Sequence, residues 1–146
     1  TLLQALLAEL TRKIAMDGEG ATRAITVTVR NAHTTEQAEQ AARAVANSLL
    51  VKTAVYGKDP NWGRVISAVG ASGVSLNPEA LSVQFAGIPV VLGGAACSYS
   101  RDRMDQALEA ETIPITVELG SGNASARIWT CDLTHDYITI NAEYTT

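Results

Sequence analysis

Three short segments set small or special-backbone residues beside side chains that can hold charge or bond a ligand. They are Asp17-Gly18-Glu19-Gly20-Ala21-Thr22, Gly57-Lys58-Asp59-Pro60-Asn61-Trp62-Gly63-Arg64, and the C-terminal run from Tyr137 to Thr146. In the first, glycines flank Glu19, so the backbone can turn sharply and hold that carboxylate at the lip of a sheet, where it could grip an amine. The plainer alternative is a helix cap followed by solvated acidic residues. A dinucleotide loop is excluded, because the strand follows these glycines instead of preceding them.

In the second segment Pro60 restricts φ and Gly63 admits close approach, while Asp59, Asn61, Trp62 and Arg64 supply charges, an amide and a large ring. This is either a substrate-contacting loop or a turn stapled by Trp62 and an Asp59–Arg64 ion pair. In the third, Ile138, Ile140 and Ala142 alternate with Tyr137, Thr139 and Asn141, which predicts a strand presenting Asn141 on the face opposite the isoleucines. The last residues are either a frayed end or a tail that completes a pocket. Asp132, His135 and Asp136 could be read as metal ligands, but one His with two carboxylates in a turn reads better as a hydrogen-bonded loop, so no metal site is assigned. His33 precedes a helix cap and reads as solvated. Neither Cys97 nor Cys131 has an adjacent His that would mark a nucleophile.

The elements that must position these segments follow from periodicity. Leu3, Leu6, Leu7, Leu10 and Ile14 fall on one helical face, and Gly18 suits a left-handed cap at that helix's end. Ile25, Val27 and Val29 alternate with threonines across Arg23 to Arg30, as in a half-buried strand. Thr34 and Gln37 predict a capping box before a helix whose face is Ala38, Ala41, Ala42, Val45 and Leu49, small enough to lie close on a sheet. Further helices are predicted over Arg64 to Ala71 and Arg101 to Ala110. Strands are predicted over Leu81 to Phe85, Ile88 to Leu92, Ile113 to Leu119, Asn123 to Thr130 and Tyr137 to Asn141. Helices and strands interleave irregularly, which implies an α+β fold: a mixed sheet with helices packed on it, one domain over residues 1–146.

Composition narrows the function classes. The 146 residues carry a net charge of −4, are 47% hydrophobic and 18% charged, and lack any cluster of Lys and Arg, so nucleic acid is not an expected partner. No apolar run approaches a membrane span, and Leu2 to Leu10 lacks the basic start of an export signal. Two sparse cysteines do not form a disulfide framework, which places the chain in a reducing, cytoplasmic compartment. Without an initiator Met, the chain is expected to be a processed product or a piece of something larger.

Taken in order, Asp17 to Thr22, Asp59 to Arg64, Trp129-Thr130-Cys131-Asp132-Leu133-Thr134 and Asn141-Ala142-Glu143-Tyr144-Thr145-Thr146 resemble the ornithine acetyltransferase/glutamate N-acetyltransferase (ArgJ) family, in the C-terminal part of its β chain. The resemblance spans nearly the whole chain and is least distinctive from Gly73 to Glu111. It implies a two-chain enzyme whose precursor cuts itself before a Thr that then carries acetyl from N-acetylornithine to glutamate, within a hetero-oligomer of α and β chains and without metal or organic cofactor. Carried over residue by residue, it implies substrate binding by Glu19, Asn141 and Thr146, and an ordered tail. In the family the nucleophilic Thr opens a strand, whereas Thr1 here runs straight into a helix. Thr1 is therefore read as a helix-start residue, with the nucleophile, oxyanion hole and α chain expected elsewhere and no catalytic residue assigned in this chain. The rival functional classes are a non-catalytic interaction or assembly domain and a related self-processing aminopeptidase or amidase.

Overall fold

The computed structural model describes residues 1–143, so Thr146 lies outside the described residues. In chain order it contains α1 (Leu2–Met16), β1 (Ala24–Ala32), α2 (Thr35–Asn47), α3 (Leu49–Tyr56), α4 (Trp62–Ala71), β2 (Ser82–Phe85), β3 (Ile88–Leu92), β4 (Ala95–Ala96), α5 (Arg101–Ala107), β5 (Thr112–Glu118), β6 (Ala124–Cys131) and α6 (His135–Glu143). The strands make one mixed sheet in the order β4-β3-β2-β5-β1-β6. Its one parallel pair among the described residues is β1 with β5, where Ile25, Val27 and Val29 stand level with Ile113, Ile115 and Val117. These six side chains are buried and form the floor of the core.

α2 packs across β1 and β6 and against α4. Ala38, Ala41, Ala42 and Val45 are fully buried on its inner face, because side chains this small let the helix axis approach the sheet closely. Thr34 caps α2 by accepting from the Gln37 amide at 3.2 Å. The return half of the predicted capping box does not form: the Gln37 Oε1 has no hydrogen-bond partner among the described residues. A complete capping box stands instead at Thr1 and Gln4, at the start of α1.

Three sequence expectations are overturned here. The helix predicted to run to Leu49 stops at Asn47, because Ser48 leaves helical geometry (ψ 112°) and its hydroxyl caps a new helix, α3, by accepting from the Val51 amide at 3.3 Å. Leu49 is therefore an exposed residue of α3. Gly18 is not a left-handed cap: α1 closes on Asp17, and the residue with positive φ at this junction is Gly20, at +68°. The strand predicted over Tyr137 to Asn141 is the helix α6. Alternation there gave no buried face to anchor a strand, since Ile138 is 61% exposed and Ile140 also lies in solvent. A local signal won instead: Thr134 Oγ1 accepts from the Tyr137 amide at 3.3 Å, and Asp136 in the first turn complements the helix dipole.

Candidate functional site

The junction between α1 and β1 is built from both ends of the chain. Asp132, just past β6 and 3% exposed, accepts from the Thr22 amide at 2.8 Å, the Thr22 hydroxyl at 2.5 Å and the Arg23 amide at 3.0 Å. Its own amide donates to the Arg23 carbonyl at 3.0 Å. Two residues on, the Thr134 hydroxyl donates to the Gly20 carbonyl at 2.7 Å while capping α6. Asp132 is thereby consumed as an anchor of the backbone. His135 meets Tyr56 of α3 edge-on, ring centroids 5.8 Å apart, so it joins two helices.

This closeness explains the glycines. A Cβ on Gly18 would stand 2.7 Å from Cys131 Sγ, and one on Gly20 would stand 2.8 Å from both Asp136 Cβ and the Tyr137 amide nitrogen. Only residues without a side chain let the start of α6 and the end of β6 close on the turn. Glu19 stands between them with its carboxylate exposed to solvent.

Because α6 is a helix, Tyr137 and Asn141 share one face, one turn apart. Asn141 Nδ2 donates to the Tyr137 carbonyl at 2.8 Å and to Glu19 Oε2 at 2.8 Å. Two of the three residues singled out for substrate binding are thus in direct contact across a sequence separation of 122. The geometry that joins them is helical, not the strand face expected. Glu19 Oε1 makes no hydrogen bond among the described residues. A cleft of about 120 Å³ opens beside Glu19, lined also by Lys52, Cys131, Asp132, Leu133 and Tyr137. A carboxylate oxygen free to accept, steadied by an amide on its neighbour, is suited to hold an ammonium group.

The Gly57 to Arg64 loop resolves differently. There is no Asp59–Arg64 ion pair: Asn61 Nδ2 donates to Asp59 Oδ2 at 2.9 Å, and Asn61 Oδ1 accepts the Arg64 amide at 3.1 Å to cap α4. Arg64 Nη1 instead donates to the Leu50 carbonyl at 2.8 Å, tying α4 to α3. A larger cleft of about 360 Å³ lies between Gly57–Pro60 and Tyr99–Asp105, but neither Glu19 nor Asn141 borders it.

Sequence reasoning passed over Lys52, which the missed helix α3 brings to the Glu19 cleft, and read Asp132 as part of a hydrogen-bonded loop without finding its partners, Thr22 and Arg23. The one signal for Asp132 was its spacing: a small acid one residue after a strand, two before a Thr that can cap.

The model of the ArgJ family matches residues 1–146. The arginine biosynthesis bifunctional protein ArgJ of Oceanobacillus iheyensis is 51% identical over 138 residues, covering 94% of this chain and 34% of that protein. The glutamate N-acetyltransferase of Methanopyrus kandleri is 44% identical over 147 residues, covering 99% of this chain and 38% of that protein. The crystal structure of the arginine biosynthesis bifunctional protein ArgJ from Bacillus halodurans superposes with a TM-score of 0.94 at 40% identity, over 98% of this chain and 68% of the other. This chain spans about a third of the length of the curated relatives it matches. With a family match end to end and the same α+β fold in a solved relative, the chain belongs to the ArgJ family.

Proposed function

We propose that this chain supplies the amine-binding part of an acetyltransferase that moves acetyl from N-acetylornithine to glutamate through a threonine acyl-enzyme, in arginine biosynthesis. The observation that carries this is the contact of Asn141 with Glu19, a residue that lines the cleft, inside a chain whose relatives include one named glutamate N-acetyltransferase. Asn141 occupies one oxygen of Glu19 and sets the plane of the carboxylate, leaving the other to accept from the δ-ammonium of the substrate. Burying that ammonium against an acid strengthens the pair relative to water.

Thr1 does not act as nucleophile in this reading. Its hydroxyl accepts from the Gln4 amide at 3.3 Å and its backbone nitrogen donates to Gln4 Oε1 at 2.7 Å, so both groups cap a helix. Self-cleavage, the nucleophile and the oxyanion hole fall to the remainder of the enzyme, its α chain included. Thr146, outside the described residues, is kept as a third substrate-binding residue on the family resemblance alone. The long apolar face of α1 favours assembly with further protein as part of the same role: Leu2 is 89% and Ile14 76% exposed.

In the full-length enzyme, Glu19→Gln keeps the shape of the site and removes its charge. It should lower kcat/KM for N-acetylornithine at least about tenfold, the loss of one charge-assisted hydrogen bond. Unchanged steady-state kinetics would sink the assignment.

A further inference from the structure

We infer that Lys52 is a specificity residue of this site, binding a substrate carboxylate opposite the ammonium-binding Glu19; the inference rests on the reading of the cleft just given. Both side chains line the same cleft, Glu19 from the α1–β1 turn and Lys52 from α3. α3 is held in place there, because the Lys52 carbonyl accepts from the Leu133 amide at 3.4 Å and Tyr56 meets His135 of α6.

The charge of Lys52 is uncommitted. Among the described residues the ion pairs join Arg12 and Lys13 to Glu9, and Arg23 and Lys58 to Glu109, and none involves Lys52. The other acid bordering the cleft, Asp132, is spent on Thr22 and Arg23. Helix stability does not explain the residue either. Lys52 sits in the first turn and a half of α3, where its amide still bonds the cap residue Ser48, and a cation there opposes the positive end of the helix dipole. A half-buried lysine with no acidic partner among the described residues, in a cleft also lined by Glu19, matches a ligand with one group of each charge. The acyl donor of the proposed reaction fits, since N-acetylornithine carries a side-chain ammonium and a carboxylate; glutamate, whose one amine must be free to take the acetyl group, offers this pair only a carboxylate for Lys52. The pair would therefore exclude diamines and simple amines, which offer nothing to Lys52, as well as acetylated amino acids lacking a basic side chain.

The test compares N-acetylornithine with its carboxamide, in which a neutral amide replaces the carboxylate, using the full-length enzyme. Lys52→Met keeps the stem and removes the charge; it should raise KM for N-acetylornithine at least about tenfold with kcat within about twofold, and leave KM for the carboxamide unchanged. Lys52→Arg should restore most of the preference for the acid. A Lys52→Met enzyme that still prefers the acid, or loses affinity for both compounds equally, overturns the inference, the second outcome marking a packing role. Should Lys52→Met fail to fold, Lys52→Gln against Lys52→Arg gives the same contrast. Glu19→Gln assayed alongside separates the two levels: loss of activity there with a neutral Lys52→Met overturns only the role of Lys52, whereas neutrality of both overturns the reading of the cleft as well.

Discussion

The Asp17 to Thr22 turn and the Gly57 to Arg64 loop are alike in composition, each mixing glycine, acids and polar side chains, yet they end in opposite conditions. In the loop the polar partners are mostly near in sequence: Asn61 bonds Asp59 two residues back and Arg64 three ahead, Arg64 reaches Leu50 and Thr53 on the neighbouring helix, and Lys58 alone reaches farther, to Glu109 on the surface. Its side chains are occupied in capping and tying α4. At the turn the partners come from more than a hundred residues away, with Asp132, Thr134 and Asn141 converging on Gly20, Thr22, Arg23 and Glu19. The distant segments satisfy the backbone and leave one carboxylate oxygen open to solvent. Local bonding spends polar groups on structure; long-range convergence can leave one of them over for a ligand.

The sharpest way to break this comparison is to remove the two acids in turn. Asp132→Ala strands three buried or half-buried donors that bonded a carboxylate, and should destabilise the full-length protein by about 3 kcal/mol or more in denaturant unfolding. Asp59→Ala removes one exposed contact to Asn61 and should cost under about 1 kcal/mol. Equal losses would erase the distinction between the two regions.

A smaller effect is expected at Asn141, which orients Glu19 without carrying the charge. Asn141→Ala should raise KM for N-acetylornithine about threefold in the wild-type background and add almost nothing in a Glu19→Gln background, since the two act as one unit. Additive effects in that double-mutant cycle would show that Asn141 acts apart from Glu19.

The smallest effect concerns the loop's own surface pair. Lys58 holds the Glu109 carboxyl below the usual carboxylate range, first through a hydrogen bond to it and then through its charge, with Arg23 adding a lesser pull. A carboxyl depressed on folding contributes stability above its unfolded pKa, and that contribution is lost as pH falls through the folded value. Glu109 is solvent-exposed, so Glu109→Gln should lower the melting temperature only slightly at pH 7, and the difference should vanish once the pH drops below the carboxylate range. A difference that persists in acid would assign Glu109 a role beyond its charge.

Much of the scaffold was legible beforehand, where a side-chain period coincided with burial inside this chain. Ile25, Val27 and Val29, Ile113, Ile115 and Val117, and the alanine face of α2 all point into the core as their spacing implies. Legibility failed where short-range hydrogen bonds decide the outcome. Ser48 and Thr134 each start a helix with one hydroxyl; α6 buries none of its residues, and the buried stripe of α3, Val51, Ala54 and Val55, spans little more than one turn. α1 shows the converse: its leucine face was read correctly as helical, but Leu3, Leu6, Leu7 and Leu10 remain exposed. Periodicity reports that a face is apolar and says nothing about what covers it.

By itself the sequence determined the alternating strands, the α+β class and, through four short motifs, the family and the interest of Glu19 and Asn141. Those properties reside in residue identity and in spacings of two to four along the chain, which local backbone geometry translates directly into faces. Only the tertiary structure decided that Asn141 reaches Glu19 from a helix, that the hydrogen bonds of Asp132 go to Thr22 and Arg23 of the distant turn, and that Lys52 shares the cleft. Each is a contact across some thirty to more than a hundred residues, set by how β6 pairs with β1 and where α3 and α6 dock, and no local spacing encodes such a distance.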